Sequence, residues 1–425
     1  MKGYGAGKSG KEAQSMGMKV LRRLLLLLLI PLLCTANGWA AEIRGRSSTQ
    51  FLWFNDYYNG KQVEFAQYLR FAATNIDQAG KFSLYGYGRG EAVLTNGDGM
   101  NGDGANGRLY SLYGDYRDVD GKLDVKLGRQ FANLSADSSL LDGARFDLKN
   151  VGPVGFTFLG GRNVVFGLNG EMGHTGDYAA GAAMYLQGFK NTDLDISWFR
   201  KYDQYDVARD MLGASFKQYL FNNIKLYGNA RYDMISETFS DLLGGIKFFP
   251  TPSLSLTGEF LQSYPVFDAT SIYSVFAVNL YKEALIRADY TVSEKLAVNA
   301  GYTRQDFGDE GGWGDVYVVG FTLRPLDTLT INVDYDRRSG YGGDLNGGVL
   351  ELNYDASQQL RLAAGVAYDV YQRDNMTGEE TAKNYWLGAK YKLTNSMSAS
   401  LRVEESVNKT YDSNMQGRFV FDYDF

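Results

Sequence analysis

Along much of the chain, apolar and polar residues change places at every second position. In Gly417–Phe425, rings occupy Phe419, Phe421, Tyr423 and Phe425, while Arg418, Val420, Asp422 and Asp424 fill the positions between. In an extended strand this spacing sends the four rings to one face and a mostly polar set to the other. The same period sets Ile224, Leu226, Ala230 and Tyr232 against Lys225, Tyr227, Asn229, Arg231 and Asp233. It sets Leu329, Ile331, Val333 and Tyr335 against Thr330, Asn332, Asp334 and Asp336, and Leu360, Leu362, Val366 and Tyr368 against Arg361 and Asp369. A strand with one apolar and one charged face suits a wall with hydrocarbon on one side and water on the other. Lys225, Arg231, Asp233, Glu259, Asp334, Arg361 and Asp369 would be costly against lipid, so they are read as lining a wet lumen. The pattern predicts an all-β fold, a transmembrane antiparallel up-and-down β-barrel.

Turn chemistry divides these strands. Tight connections are expected near Asp77–Gly80, Asp118–Gly121, Val151–Pro153, Asn191–Thr192, Phe221–Asn223, Pro250–Ser253, Thr291–Glu294, Pro325–Asp327, Ala356–Gln358 and Thr394–Ser396. Longer polar connections are expected at Asn96–Gly107, Phe131–Ser139, Gly161–Gly176, Gln305–Gly312, Ser339–Asn346, Gln372–Thr381 and Ser406–Ser413, with a few brief ones besides. Short turns on the periplasmic side and longer outer loops are the asymmetry of such barrels. With Ser271–Tyr290 taken as one long strand, the strand count comes to about 22, within a range of 18–22, and both termini fall on the periplasmic side.

The first forty residues break the pattern. Lys19, Arg22 and Arg23 lead into an apolar run from Leu24 to Leu33, with small residues at Gly38, Ala40 and Ala41. That is a secretory signal, too short to span a membrane as a helix, with cleavage expected after Ala40. Residues 41–425 are then a single barrel domain. The leader holds six basic residues and one acidic, so the remainder carries a balance of −11 against −6 for the whole chain. Such an acidic protein is unsuited to nucleic acid. The leader also holds the one cysteine, Cys34, which leaves the rest without disulfides, thiolate metal sites or attachment points for haem.

Candidate chemistry is sparse. His174 is the only histidine, and alone it cannot build a histidine metal cluster. Gly86-Tyr-Gly-Arg-Gly90 has the look of a phosphate loop, but it sits inside a strand, where such glycines thin and bend the wall. The repeat from Asn96 to Gly107 places Asp98 and Asp103 on a glycine-rich backbone. Their oxygens are weak calcium candidates, and Asn-Gly and Asp-Gly are equally ordinary turn formers. No catalytic constellation is marked by spacing, so no enzymatic function and no cofactor are expected.

Two stretches resemble known families. The aromatic alternation ending at Phe425 resembles the C-terminal strand of Gram-negative outer-membrane barrels, which the barrel-assembly machinery recognises. The resemblance implies that Phe419, Phe421, Tyr423 and Phe425 form an assembly signal. It also implies an outer-membrane location, with the lipid bilayer and lipopolysaccharide as surroundings. The second stretch runs from Leu123 through Leu-Gly-Arg-Gln130, then Leu141-Asp-Gly-Ala-Arg-Phe-Asp147. It is similar to outer-membrane porins and to exporters of acidic polysaccharide. Carried over, that similarity puts Lys126, Arg129 and Arg145 in the lumen with Asp142 and Asp147 as opposing charges; the alternative is an ion pair that braces the wall.

The leading expectation is a porin-like channel passing small polar solutes or ions through a charged aqueous lumen. A second expectation starts from size. A 22-strand bore is wide, no plug segment precedes the first strand, and the longest expected loop, near Gly161–Gly176, looks too short to fill it. A sheath around a multihaem c-type cytochrome, similar to porin-cytochrome conduits for extracellular electron transfer, would answer that problem.

Overall fold

The computed structural model describes residues 41–56, 60–94, 105–167, 170–271, 279–308, 311–373 and 378–425. The expected leader and the calcium candidates Asp98 and Asp103 lie outside the described residues.

Strands β1 (Glu42–Asp56), β2 (Gly60–Thr74), β3 (Phe82–Val93), β4 (Ala105–Val119), β5 (Leu123–Asn133), β6 (Ser138–Val151) and β7 (Val154–Asn163) open the barrel. A small hairpin, β8 (Val165–Gly167) and β9 (Gly170–Met172), follows. Next come β10 (Tyr178–Phe189), β11 (Thr192–Asp203), β12 (Asp206–Leu220), β13 (Ile224–Asp233), β14 (Thr238–Thr251) and β15 (Leu254–Ser263). The last third holds β16 (Tyr281–Ser293), β17 (Leu296–Asp306), β18 (Trp313–Leu326), β19 (Leu329–Gly340) and β20 (Asp344–Asp355). It ends with β21 (Leu360–Gln372), β22 (Glu380–Lys392), β23 (Met397–Val407) and β24 (Asn414–Asp424). Apart from the hairpin, every strand belongs to one 22-stranded sheet. Each strand pairs antiparallel with its neighbour in sequence, β7 pairs with β10, and β24 closes on β1.

The strands turn at each of the tight connections expected from sequence. Lys190 and Asn191 both hold positive φ, which is the backbone of a two-residue turn whose twist matches its hairpin. One expected strand is corrected. Ser271–Tyr290 is not a single strand; the strand begins at Tyr281. Pro265, which has no N–H to give the ladder, follows β15, and the described residues 264–271 and 279–280 lie outside the strands. Two expected loops are shorter than read from sequence. Ser339–Asn346 shrinks to the three residues between Gly340 and Asp344, and Phe131–Ser139 shrinks to Leu134–Asp137.

Register fixes the two faces. Leu127, Phe131, Val319 and Leu387 are more than half exposed, and they lie on the outward set that also carries the C-terminal rings. Across the seam Phe51 opposes Phe419, Thr49 opposes Phe421 and Ser47 opposes Tyr423. The other face carries Arg46, whose guanidinium donates to both carboxylate oxygens of Asp424 at 2.6 and 2.9 Å. The Gly45 N–H donates to the Phe425 carbonyl at 2.8 Å, and the Phe425 N–H returns the bond at 3.0 Å.

The seam yields a prediction. A Cβ on Gly45 would lie 2.4 Å from the Phe425 ring and 2.6 Å from the Arg70 carbonyl. Gly45→Val should therefore cost about 1–3 kcal/mol of overpacking. It should lower the temperature at which the folded, fast-migrating band converts on unheated SDS gels, whereas Ile43→Val should leave that temperature unchanged.

Candidate functional site

The inner wall is the candidate site. The pairing register places Lys126, Arg145, Asp147, Lys225, Arg231, Asp233, Glu259, Asp334, Arg361 and Asp369 on the inward face. Most of them are held by neighbours. Arg145 donates to Asp147 at 2.8 Å, and the Thr157 hydroxyl donates to the same carboxylate at 2.6 Å. Arg361 donates to Asp355 at 2.6 Å. Tyr227 donates its hydroxyl to Glu259. Lys225 lies over the rings of Tyr219 and Tyr227. Asp233 accepts from Ile235, Ser236 and the Ser236 hydroxyl, so it shapes the turn after β13. Charge is unevenly spread around the lumen. On the inward face of β19–β21, Asp334, Asp336, Glu351, Asp355 and Asp369 outnumber Arg338 and Arg361. On β23, β24 and β1–β3 the inward arginines are matched by carboxylates, Arg402 pairing with Glu404, Arg46 with Asp424 and Arg89 with Glu91.

Arg129 departs from expectation. It shares the outward face with Leu127 and Phe131, opposite Asp142. Its guanidinium donates to both Asp142 oxygens at 2.7 and 2.6 Å and to Glu171 at 2.8 Å. The Leu-Gly-Arg-Gln stretch gives alternate residues to alternate faces, so Lys126 faces in and Arg129 faces out. Arg129 lies four residues from the loop end of β5, near the membrane surface, where an arginine with two carboxylate partners is tolerated.

Two connections fold onto the inner wall and narrow the lumen. The first, Leu134–Asp137, lies over β10–β12. Leu134 and Ala136 are buried there with Phe199, Leu159, Ala179 and Met211. The Ala136 N–H donates to Ser197 Oγ at 2.8 Å, and the Ser135 and Ser197 hydroxyls are 2.7 Å apart. The Ser135 carbonyl accepts from Arg231 Nε at 3.1 Å. This approach requires Gly213, where a Cβ would come within 2.1 Å of the Ala136 nitrogen. The described start of the second connection, 264–271, crosses from β14 to β12: the Tyr264 N–H donates to the Ser240 carbonyl at 2.9 Å, and the Ala269 N–H donates to the Ala208 carbonyl at 2.7 Å. Arg209 joins the two, reaching Asp268 at 2.7 Å and Asp137 at 3.4 Å. Sequence reasoning missed Arg209, Asp268 and Gly213. The legible signal was Leu134 and Ala136, apolar residues in the middle of a polar loop.

These connections narrow the bore without filling it, and nothing among the described residues supports the sheath expectation. The loop after β7 holds its own order. Asp177 accepts from the backbone N–H groups of His174 at 2.6 Å and Gln204 at 3.1 Å. His174, Asp177 and Asp203 bring ligand-type atoms within 4.8 Å of one another, but His174 is largely exposed and Asp177 is committed to those N–H bonds.

No protein-family model matches the chain, and no curated protein matches its sequence. Solved structures do resemble it. A BenF-like porin from Pseudomonas fluorescens Pf-5 superposes with a TM-score of 0.50 at 10% identity, covering 91% of this chain and 100% of the porin. OccAB2 of Acinetobacter baumannii gives 0.49 at 12% identity over 92% and 99% of the two chains. OpdK, an outer-membrane protein of Pseudomonas aeruginosa, gives 0.48 at 10% over 91% and 100%. At such identities the likeness is one of fold.

The loop carboxylate gives a pH prediction. Burial pushes the Asp177 pKa up, but the His174 and Gln204 N–H bonds, aided by the charges of His174 and Arg162, bring it below the ordinary carboxylate value. A lowered folded pKa means that the stabilisation is present above the unfolded value, about 3.9, and is lost as pH falls through the folded one. Acid-protease cleavage within 164–177 should therefore accelerate below about pH 4 relative to cleavage elsewhere. In Asp177→Asn the loop should be cut readily at every pH.

Proposed function

We propose that this protein is an outer-membrane channel that passes small polar solutes or ions through a charged, water-filled lumen. One observation carries the reading: two connections lie on the inner wall of an otherwise polar bore and are pinned there by a shared arginine. A wall with lipid outside needs no charge inside, whereas a wall that conducts needs fixed charges and a defined width. The outward belt and the closed sheet support a location in the outer membrane, as does the porin-like fold. The inward charges would set the electrostatic preference of the path, with the β19–β21 wall presenting net negative charge to solutes. The aromatic C-terminal strand serves as the assembly signal in this reading, and the surrounding partners are the lipid bilayer and lipopolysaccharide.

Purified protein in a planar bilayer should give stable conductance steps, and their absence would overturn the channel reading. Displacing the inward connections should enlarge the steps. Gly213→Val pushes against the Ala136 backbone, and Arg209→Gln removes the charge that holds Asp137 and Asp268. Each variant should raise single-channel conductance by about 1.5-fold or more, because the narrowest section dominates the resistance of a pore. Unchanged conductance in both variants would mean that these connections do not limit the path.

A further inference from the structure

Beneath the Leu134–Asp137 connection the inner wall opens into a recess of about 730 Å³. That volume falls in the range of sites for small molecules. Its charged lining consists of Arg145, Lys149 and Lys217 facing Asp124, Asp147, Asp193 and Asp195. The three cations are all engaged. Arg145 pairs with Asp147 at 2.8 Å, Lys149 with Asp124 at 2.8 Å, and Lys217 with Asp193 at 2.5 Å. Asp195 is the carboxylate left over. On β11 it stands opposite Tyr185 of β10 and Ser215 of β12, both of which line the recess. Its Oδ1 is shielded from solvent and meets no hydrogen-bond donor among the described protein groups. A shielded carboxylate oxygen without a donor is costly.

The Asp195 side chain is only part-buried and lines the recess, so the ligand that matches its unpaired charge there brings a donor with positive charge. An anion would meet Asp195 and three further carboxylates while every cation is occupied. We propose that the recess is a binding station for small organic cations, primary amines or guanidinium compounds, with Asp195 as the counter-ion. The Tyr185 and Ser215 hydroxyls and the apolar side of Leu134 complete the lining. The proposal rests on the channel reading for its purpose, since it names the class of solute that pauses on the way through.

The test is equilibrium binding of radiolabelled 1,4-diaminobutane to the detergent-solubilised barrel, with succinate as an anion of similar length. Wild-type protein should bind the diamine saturably and should not be competed by succinate. Asp195→Asn keeps the shape and removes the charge, and folded protein is verified by its unheated gel mobility. It should bind about ten-fold or more weakly, the scale of one charge-assisted hydrogen bond. Equal binding in the two proteins, no saturable diamine binding, or competition by succinate would each overturn the proposal. Bilayer recordings of the same samples separate the two readings. A barrel that conducts but binds the diamine equally well in Asp195→Asn loses the station and keeps the channel. A barrel that binds the diamine at Asp195 but carries no current loses the channel and keeps the station.

Discussion

Every backbone N–H and C=O of a segment crossing hydrocarbon must find its partner within the protein, and the rest of this structure depends on that constraint. An open sheet would leave two edges unsatisfied in lipid, so the sheet has to close. Closure falls on β1 and β24, through reciprocal backbone bonds between Gly45 and Phe425 and the Arg46–Asp424 pair inside. Once the seam is set, the register around the ring follows, and with it the face on which each side chain emerges. A slip of one residue would turn the charges of β13 or β21 into the lipid. The apolar belt and the charged lumen are therefore one consequence of a single closed ladder.

The same closure creates a second problem. A ring of 22 strands encloses more space than its inward side chains fill. Connections at one end supply part of the answer by folding back onto the wall. What holds them is a small core built inside the lumen. Leu134 and Ala136 meet Phe199, Leu159 and Met211, and hydroxyl and guanidinium groups satisfy the backbone they bring. A polar connection with two apolar residues at its centre can sit on a wet wall because those residues find apolar partners there. Glycine at 213 is the backbone's contribution, since any side chain would hold the connection off.

Much of the fold was legible in the sequence because period-two alternation and turn residues are local signals. The tight turns came from Asp, Asn, Gly and Pro at fixed spots, and the strands between them could be counted. The long connection before β16 was misread because the sequence between Ser271 and Tyr290 offers few turn residues after Thr270. Its path is decided by Arg209 and Ala208, about sixty residues away in sequence. The strand face of a charged residue was readable where the alternation was clean, as at Lys225, Arg231 and Asp369. The inward connections were not, because their placement depends on contacts between strands that no local pattern encodes.

Arg129 shows why charge alone does not mark a lumen. Near the loop end of the barrel, among the described residues, three Arg–Asp pairs face outward: Arg129 with Asp142, Arg200 with Asp210, and Arg304 with Asp315. In the latter two an aromatic group joins. Trp198 donates its indole N–H to Asp210 at 2.8 Å, and Tyr302 donates its hydroxyl to Asp315 at 2.7 Å. At the membrane surface a guanidinium can stay if a carboxylate neutralises it and an aromatic edge covers it. Inside the lumen water does much of that work, so a carboxylate such as Asp334 needs no ion-pair partner. Strand parity decides the face of a charge, and the number of its partners follows from the medium it meets there.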